Sequence, residues 1–251
     1  MSLSNTACCS LLPVVSDYTP KGYMTKISNI DAYVIGDNKE RTLICIYDIF
    51  GYWPQTKQCA DLLSAGLGDA RIVMPDFFLG NPFPLESFPP NTEEKRRALK
   101  GFFNGPANLE KNLETVGIII ENLKKDGAKS LAIFGFCWGG KLSVLSGGCY
   151  SDKINSVAMI HPAMVDSNDA DNLKVPICNI ISKDEPLDDC NTFEEIIRTK
   201  PFSKDCIFKT FSTMHHGFMA ARSDLTNSEN VEKFREELKH KNIYFLRLFT
   251  S

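Results

Sequence analysis

The stretch Ser130–Lys141, which reads SLAIFGFCWGGK, decides the fold of this chain. Ser130–Phe134 is a short apolar run, as expected for a strand buried on both faces of a parallel sheet. The next five residues, Gly135–Gly139, include a glycine at each end, and a helical pattern begins near Gly140. The stretch therefore predicts a buried strand that turns sharply into a helix.

Cys137 lies at the centre of this turn, where the nucleophile-elbow pattern G-x-S-x-G has its serine. A sharp strand-to-helix turn strains the backbone of its central residue and lifts the side chain above the sheet, while the glycines allow strand and helix to approach. The helix N-terminus favours a thiolate, and the Trp138 N–H is placed to face a developing oxyanion. We predict that Cys137 is a nucleophile; the alternative is a tight turn with a buried, inert cysteine.

The composition is that of a soluble globular protein, with 43% hydrophobic and 24% charged residues in a chain of 251. These fractions exclude intrinsic disorder and collagen-like or low-complexity classes. The chain has 28 Lys and Arg against 31 Asp and Glu, which gives a formal net charge of −3. No nucleic acid partner is expected, because such binding requires a basic surface.

Nine cysteines are scattered along the chain, at positions 8, 9, 45, 59, 137, 149, 178, 190 and 206. Their number is odd and no C-x-x-C pair occurs, which argues against a disulfide scaffold, a zinc ribbon or a thioredoxin-like motif. The N-terminal residues lack the basic region of a signal peptide, and the apolar run Leu43–Phe50 is too short to cross a bilayer. We expect a cytoplasmic protein, with nuclear access left open, and no membrane partner.

Short apolar runs alternate with helical patterns through most of the chain. The predicted strands are Asp31–Ile35, Leu43–Tyr47, Arg71–Met74, Ser130–Phe134, Ser156–Ile160, Pro176–Ile181 and Cys206–Phe211. The predicted helices are Thr56–Ala65, Ala107–Leu123, Gly140–Leu145, Thr192–Thr199 and Asn230–Phe245. The alternation predicts an α/β fold with a doubly wound, mostly parallel sheet flanked by helices. No linker or repeat divides the chain, so we expect one domain over residues 1–251, with residues 1–20 as an N-terminal extension.

One region, Pro75–Pro106, breaks this alternation. It contains six of the 13 prolines and six of the 17 phenylalanines. The prolines oppose regular structure, whereas the aromatic side chains favour burial. Two interpretations are equally compatible with this pattern: a lid or pocket wall over the sheet, and a loop whose aromatic side chains pack on the core.

A nucleophile of this kind requires a base, and the base requires an acid that orients it. In the elbow fold the chain order is nucleophile, acid, histidine. Of the four histidines, His240 lies in a charged helical pattern, and His161 precedes the segment where the acid is expected, which suits a wall or structural residue. His215 and His216 follow the last predicted strand, and Gly217 suits a loop tip. We predict His216 as the base, with His215 as the alternative.

The acid is expected after the predicted strand Pro176–Ile181, where the chain reads SKDEPLDD. Asp184 and Glu185 come first, and two further aspartates follow. Asp184 lies nearest the strand end, from which a carboxylate can reach the imidazole, so we predict a triad of Cys137, Asp184 and His216. The alternative for Asp184 is a solvated acidic turn built around a proline.

The chain resembles the dienelactone hydrolase family of α/β-hydrolases over about residues 21–249. GFCWGG resembles the family's cysteine elbow, SKDEP its acid loop and HHGF its histidine turn. YDIFG at Tyr47–Gly51 and MPDFFLGNP at Met74–Pro82 resemble two further landmarks, and the N-terminal CC and TPKG are similar to the fungal and eukaryotic branch. The resemblance implies hydrolysis of small ester or lactone substrates by a Cys–His–Asp triad through an acyl-enzyme, without a metal or other cofactor.

The resemblance also suggests roles for residues around the triad. It implies an oxyanion hole formed by the backbone amides of Trp138 and Ile49. Bacterial members have a glutamate that helps to control the cysteine's protonation where this chain has Asp48, whose alternative role is to cap local amides. Bacterial members hold an anionic substrate with arginines; Arg222 lies close to one such position, and its alternative is a solvated surface charge. Because no second arginine matches, a substrate other than dienelactone is expected.

Two other classes of function use the same features. A thiol redox sensor would exploit the reactive Cys137 together with a second thiol, for which Cys149 is the candidate. A ligand-binding module would keep the hydrolase scaffold without the chemistry. Both remain alternatives to the hydrolase.

Overall fold

The computed structural model describes the backbone of residues 11–250 and the side chains of residues 11–242 and 244–246. Cys8, Cys9 and the first half of the predicted N-terminal extension lie outside the described residues. The described chain folds into an eight-stranded sheet flanked by helices. Buried apolar side chains of the sheet and of the helices and loops packed on it form one core, and the residues singled out by their sequence motifs lie along one edge of the sheet.

The strands are β1 (Tyr23–Ile27), β2 (Ile30–Ile35), β3 (Asn38–Ile46), β4 (Ala70–Pro75), β5 (Ser130–Phe136), β6 (Ser156–Ile160), β7 (Ile177–Ser182) and β8 (Ile207–Phe211). Their order across the sheet is β1-β2-β4-β3-β5-β6-β7-β8. β2 pairs antiparallel with β1 and β4, and every other neighbouring pair is parallel. This topology confirms the predicted doubly wound, mostly parallel α/β-hydrolase sheet.

The helices are α1 (Pro54–Gly66), α2 (Glu93–Asn104), α3 (Leu109–Lys125), α4 (Trp138–Cys149), α5 (Asn168–Asn172), α6 (Leu187–Arg198) and α7 (Ser228–Thr250). Short 3₁₀ turns occur at Leu85–Ser87 and Ser203–Asp205. Across the described residues, no helix combines the length and the apolar character needed to span a bilayer.

The sequence pattern missed the edge of the sheet. β1 was not predicted, because Tyr23 and Met24 are each more than half exposed and no buried apolar run marks the strand. β3 begins at Asn38, five residues before the predicted start at Leu43, because its first half is polar and partly exposed. Apolar runs therefore located the buried parts of the strands and not their exposed ends.

The region between Pro75 and Pro106 packs against the core. Phe78 lies 4.9 Å from Trp138 and 4.9 Å from Phe102, measured between ring centroids. Five of the six phenylalanines are buried, and the sixth is partly buried. The region also contains α2, which was not predicted and which begins after the last of its clustered prolines. The packed-loop interpretation matches this arrangement.

The described part of the N-terminal extension is tied to the loops around the sheet edge. The Val14 carbonyl accepts hydrogen bonds from Trp53 Nε1 at 2.8 Å and from Gln55 Nε2 at 2.9 Å. The Val14 N–H donates to the Ala221 carbonyl at 2.8 Å. Further along, Tyr18 donates its hydroxyl hydrogen to a carboxylate of α1. The extension therefore holds α1 and the loop after β8 together.

A charged cluster is fully buried between α7, α1 and the sheet. Lys241 Nζ lies 3.2 Å from Glu237 Oε2 and 3.0 Å from Cys59 Sγ, and neither Lys241 nor Glu237 is exposed. Burial raises the pKa of Glu237 to about 7 despite the neighbouring ammonium. Burial also raises the pKa of the Cys59 thiol to about 11, although Lys241 opposes this shift. The ammonium of Lys241 is thus the charge that stabilises the buried carboxylate.

Replacing this lysine is expected to destabilise the fold. Lys241→Met leaves Glu237 buried without a cation, which costs about 3 kcal/mol in the free energy of unfolding at pH 8. The double variant Glu237→Leu/Lys241→Met removes both charges and is expected to recover most of that loss. Urea unfolding at pH 8 measures both. An equal loss of unfolding free energy in the single and double variants would contradict the stabilising role assigned to Lys241.

The same single variant has a predicted pH dependence. The folded-state pKa of Glu237 lies above its unfolded value, so the folded protein holds the proton more tightly. The penalty for an unpaired carboxylate is therefore absent below the unfolded pKa and grows as pH rises through the folded pKa. The gap in unfolding free energy between wild type and Lys241→Met should shrink when pH falls from about 8 to about 5.

Candidate active site

The carboxyl ends of five parallel strands meet along one edge of the sheet and place the predicted residues near one another in the topology. β3 leads into Asp48 and Ile49, β5 into Cys137, and β6 into His161. β7 ends next to the acidic segment, and β8 leads into the loop that carries His216. In doubly wound sheets this edge is where binding sites form.

The backbone of Cys137 is strained in the way the elbow motif predicts. Its φ is 54° and its ψ is −114°, a conformation that non-glycine residues rarely adopt. Cys137 is also the N-cap of α4, which begins at Trp138, two residues before the predicted start. The Cys137 side chain therefore lies at a helix N-terminus, where the helix dipole favours the thiolate.

The two flanking glycines are required by close backbone contacts. A Cβ at Gly135 would lie 2.1 Å from the Gly139 carbonyl oxygen. A Cβ at Gly139 would lie 2.2 Å from the carbonyl oxygen of Ile46, at the end of β3. Real side chains do not reach such distances, so both positions need glycine if α4 is to pack this closely on the sheet.

Gly139→Ala is expected to destabilise the protein by about 3 kcal/mol, because the added methyl group overlaps main-chain atoms that cannot move aside. Gly140→Ala is the matched control. Its Cβ would meet side-chain carbons of Met159 and Pro162 at 3.3 Å and the Gly135 carbonyl oxygen at 3.4 Å, contacts far less close than those at Gly139, so a loss of about 1 kcal/mol is expected. Thermal unfolding of the two variants measures the difference, and equal unfolding temperatures would contradict the packing argument.

The loop after β6 clamps the elbow from the other side. The Cys137 N–H donates to the Ile160 carbonyl at 3.1 Å, and the Cys137 carbonyl accepts from the Ala163 N–H at 3.0 Å. Both main-chain groups of the strained residue are therefore held by one neighbouring segment. This arrangement fixes the position of Cys137 relative to His161 at the start of that segment.

The imidazole of His216 is buried and contacts a carboxylate. His216 Nδ1 lies 2.7 Å from Glu185 Oε1, and both side chains are almost completely buried. The other oxygen of Glu185 accepts from the Ser182 N–H, and Glu185 Oε1 also accepts from the Ser182 hydroxyl at 3.1 Å. The carboxylate is thus fixed at the end of β7 and directed at the ring. This is the arrangement of a histidine oriented by an acid.

Asp184 does not occupy the position that the sequence predicted for it. Its Oδ2 accepts a hydrogen bond from the main-chain N–H of His216 at 2.9 Å, and the residue that contacts the imidazole is Glu185. Asp184 was predicted as the acid because it is the carboxylate nearest the end of the strand. In the structure the turn directs Asp184 to the histidine's backbone, and the longer glutamate side chain folds back to reach the ring.

A sequence signal for Glu185 was present. Ser182 and Glu185 have the S-x-x-E spacing of a capping box, in which the glutamate returns to the serine N–H. The observed bond from Ser182 N–H to Glu185 has that form. The spacing therefore predicts a carboxylate that folds back over the strand end, which is where the imidazole lies.

His215 has different surroundings from His216. Its Nε2 lies 3.2 Å from the Arg222 carbonyl oxygen, and burial lowers the pKa of His215. Gly217 follows with a φ of +91°, the left-handed conformation expected of a loop tip. Of the two candidate bases, His216 therefore has its imidazole on a carboxylate, whereas the imidazole of His215 contacts a main-chain carbonyl.

The two backbone amides expected to form the oxyanion hole, those of Ile49 and Trp138, lie at the end of β3 and at the start of α4. Within residues 11–250, neither N–H donates a hydrogen bond to another residue. The Ile49 carbonyl accepts from the Phe83 N–H at 2.8 Å, which fixes the plane of that loop. Trp138 is held by its indole N–H, which donates to the Ala107 carbonyl at 3.0 Å.

Asp48 and Arg222 are both buried. Asp48 Oδ1 accepts from the Phe50 N–H at 2.9 Å, the local amide cap that was one of its two predicted roles. Arg222 is only 2% exposed, so it is not a solvated surface charge. Its guanidinium lies 5.1 Å from the Phe50 ring centre and 5.2 Å from that of Phe88, and its Nε donates to the Leu11 carbonyl at 2.6 Å.

Comparison with known proteins gives the chain a family. Residues 30–249 match the sequence model of the Dienelactone hydrolase family. The chain belongs to this family. The match covers every strand from β2 to β8, and it agrees with the resemblance seen in the motifs around Cys137 and His216.

Similar proteins match this chain over most of its length. An uncharacterized AIM2 family protein of Schizosaccharomyces pombe is 33% identical over 237 residues, which are 92% of this chain and 93% of the relative. The carboxymethylenebutenolidase homolog of Homo sapiens is 30% identical over 210 residues, 81% of each chain. The crystal structure of dienelactone hydrolase from Anabaena variabilis superposes with a TM-score of 0.63 at 9% identity, covering 92% of this chain and 99% of the other. That likeness shows the shared fold of these family members.

Metal ligands are not grouped in the part of this family member that the structure describes. No set of three or more His, Cys, Asp or Glu side chains there is arranged to hold a metal ion. Polar side chains with interlocking contacts do surround His216, and they are those of Glu185, Ser182 and Asp184.

Proposed function

We propose that this dienelactone hydrolase family member hydrolyses small carboxylic esters or lactones through an acyl-enzyme on Cys137. The observation that carries the proposal is the strained backbone of Cys137 at the N-terminus of α4. The backbone keeps this strain because the segment at the end of β6 holds both main-chain groups of Cys137. A buried histidine with a carboxylate on its Nδ1 lies at the same sheet edge and supplies the base.

The first half of the proposed reaction forms the acyl-enzyme. His216 accepts the proton of the Cys137 thiol, and the thiolate attacks the ester carbonyl carbon. The carbon–oxygen bond to the alcohol then breaks, and the alcohol leaves with the proton from the imidazolium. Glu185 stabilises the imidazolium that forms between these two transfers.

The second half releases the acid. His216 removes a proton from water, and the resulting hydroxide attacks the thioester carbonyl. The carbon–sulfur bond breaks, the thiolate regains the proton from His216, and a carboxylic acid leaves. Because a thiolate is expelled more readily than an alkoxide, activated or strained esters should react better than amides.

The backbone N–H groups of Ile49 and Trp138 are proposed to bind the oxyanion in both halves. Two observations support this role: neither N–H is used by another residue within the described chain, and both follow strand ends at the same sheet edge. Each such donor contributes about 3 kcal/mol to transition-state stabilisation in comparable hydrolases.

The proposed triad differs from the one inferred from sequence in its acid. We propose Glu185 as the residue that orients His216, because it contacts Nδ1 of the imidazole. Asp184 is proposed to hold the main chain of His216 in place through its N–H. Both carboxylates thus support the base, one through the ring and the other through the backbone.

Asp48 and Arg222 are proposed to support the site without touching the reacting atoms. Asp48 fixes the loop that carries the Ile49 amide, through its bond to Phe50. Arg222 stacks on Phe50 and bonds to Leu11, so it connects that loop with the N-terminal extension. A carboxylate clamp built on Arg222 is not supported by these contacts, which favours a neutral ester as substrate.

The names of two relatives bear on the substrate class. The human relative is described as a carboxymethylenebutenolidase homolog, and the Anabaena structure is described as a dienelactone hydrolase. Both names refer to hydrolysis of unsaturated lactones. We extend to this chain the broader class of small esters and lactones.

A thiol redox sensor is the second candidate function considered, and the structure argues against its proposed partner thiol. Cys149 lies at the far end of α4, whose 12 residues span about 18 Å. A disulfide requires Cα atoms within about 7 Å. Cys149 therefore cannot resolve an oxidised Cys137 without unwinding the helix.

A reducing compartment such as the cytoplasm is proposed as the site of action, because oxidation of the thiol abolishes a cysteine nucleophile. The described cysteines support this proposal. None of the seven forms a disulfide with another described cysteine, and five of them are buried.

A panel of aryl esters, alkyl esters and lactones tests the function. It is assayed with the Cys149→Ala variant, so that the exposed thiol of Cys149 does not consume the alkylating reagent. Treatment with iodoacetamide should abolish hydrolysis in step with modification of Cys137, as mapped by peptide mass spectrometry. Full activity in enzyme whose Cys137 is completely alkylated would overturn the proposal.

A further inference from the structure

The segment that follows β6 carries a histidine to which the proposed mechanism gives no role. His161 is completely buried and has a φ of +36°, which is unusual for a residue with a side chain. Its main-chain N–H donates to the Ile180 carbonyl on β7 at 2.7 Å. A strained, buried polar residue at the catalytic edge of the sheet calls for a functional explanation.

The imidazole of His161 contacts one ring from each half of the proposed active site. It stacks on Phe136, the residue before Cys137, with ring centroids 5.7 Å apart and an interplanar angle of 29°. It also meets the ring of His216 edge to face, with centroids 5.1 Å apart and an angle of 65°. These two contacts link the three rings, here called the ring column, from the nucleophile elbow to the base.

The His216 ring is therefore held from two directions. Glu185 fixes it in the ring plane through Nδ1 at 2.7 Å. The edge-to-face contact with His161 restricts rotation of the ring out of that plane, a geometry that aromatic pairs favour. Because Phe136 adjoins Cys137 in the chain, the ring column relates the position of the base to that of the nucleophile.

We propose that His161 is a positioning residue that sets the orientation of His216 relative to Cys137, a role that rests on the proposed catalytic function. It acts through the shape of its ring and not by transferring a proton. The segment that carries it also bonds to both main-chain groups of Cys137, so a displacement of His161 is transmitted to the nucleophile and the base together.

Three variants test this role. His161→Ala removes the ring, His161→Phe keeps an aromatic ring of similar size, and Phe218→Leu is the matched control. Phe218 also contacts the His161 ring, at 5.9 Å, and packs on Phe211. Each variant is assayed for kcat and KM on an aryl ester, and for the rate at which iodoacetamide alkylates Cys137 at pH 7.5.

His161→Ala is expected to lower kcat at least 30-fold with less than a threefold change in KM, because the substrate still binds while the base is misplaced. The alkylation rate of Cys137 should fall at least fivefold. His161→Phe should restore both values to within fivefold of wild type, and Phe218→Leu should stay within threefold. If His161→Ala does not fold, His161→Leu fills the same space without an aromatic ring and is expected to show the same losses.

Two results would overturn the proposal. The first is that His161→Ala, or His161→Leu if the alanine variant does not fold, keeps both kcat and the alkylation rate within threefold of wild type. The second is that His161→Phe loses as much activity as His161→Ala, because the effect would then depend on the imidazole nitrogens and not on the shape of the ring. The alkylation rate reports on Cys137 without any ester, so it separates failure of this inference from failure of the proposed hydrolysis.

Discussion

Cys137→Ala is expected to lower kcat/KM for an activated aryl ester by at least about 10⁴-fold, with no loss of folding. Without the nucleophile, only substrate binding and the oxyanion donors still accelerate the reaction. Deletion of a catalytic nucleophile in other hydrolases lowers kcat/KM by a factor of this size. The positive φ of residue 137 costs alanine and cysteine about the same strain energy, because both have a Cβ. The unfolding temperature should therefore change little. Steady-state kinetics and thermal unfolding measure the two quantities.

Cys149→Ala is the matched control for this prediction. It removes a thiol from the opposite end of the same helix, where Cys149 is exposed. Its kcat/KM should remain within about twofold of wild type, because exposed substitutions away from a site have little effect. Comparable losses in both cysteine variants would mean that the helix and not the nucleophile was damaged.

Glu185→Gln is expected to lower kcat by about 10³-fold, the second large effect predicted by the structure. Glutamine can accept the hydrogen bond from Nδ1 of His216 but carries no charge to stabilise the imidazolium. It can also donate to the ring, which favours the wrong tautomer. KM should change little, because Glu185 is buried beneath the histidine and is oriented by Ser182.

Asp184→Asn is the control that distinguishes the two carboxylates. Its amide oxygen still accepts the main-chain N–H of His216, so kcat should fall less than about tenfold. The variant with the larger loss of kcat identifies the carboxylate that orients the imidazole of His216. A larger loss for Asp184→Asn than for Glu185→Gln would contradict the assignment of Glu185 and favour the acid inferred from sequence.

Much of the fold could be predicted because the buried parts of a parallel sheet have a distinct sequence pattern. The central strand β5 and its turn were located to within two residues, since SLAIFGF is apolar and the two glycines mark the elbow. β1 and the polar half of β3 were missed, because an exposed edge strand lacks an apolar run. α2 was missed because the prolines before it dominate the local pattern.

The site was predicted less completely, for a physical reason. Cys137 and His216 are each marked by local features, a glycine-flanked turn and a loop-tip glycine. The acid depends on the direction in which a side chain leaves a tight turn, and a one-residue shift reverses that direction. Asp184 was predicted as the acid because it is closer in sequence to the end of the strand. In the structure, hydrogen bonds from Ser182 direct Glu185 to the imidazole.

His161 shows a second limit of sequence reasoning. Its position before the acidic segment argued against it as the base, because the expected chain order places the histidine last. The stacking of His161 on Phe136 and its edge-to-face contact with His216 depend on how the neighbouring strands β5 and β6 align, and only the three-dimensional arrangement shows them.

The proposed acyl-enzyme on Cys137 can be observed by intact-mass and peptide mass spectrometry of enzyme quenched with acid during turnover of an activated ester. Cysteine thioesters survive at low pH long enough to be mapped. The expected result is a mass increase equal to one acyl group, located on the peptide that contains Cys137 and absent in Cys137→Ala. An acyl group located on another residue, together with undiminished hydrolysis by Cys137→Ala, would contradict it.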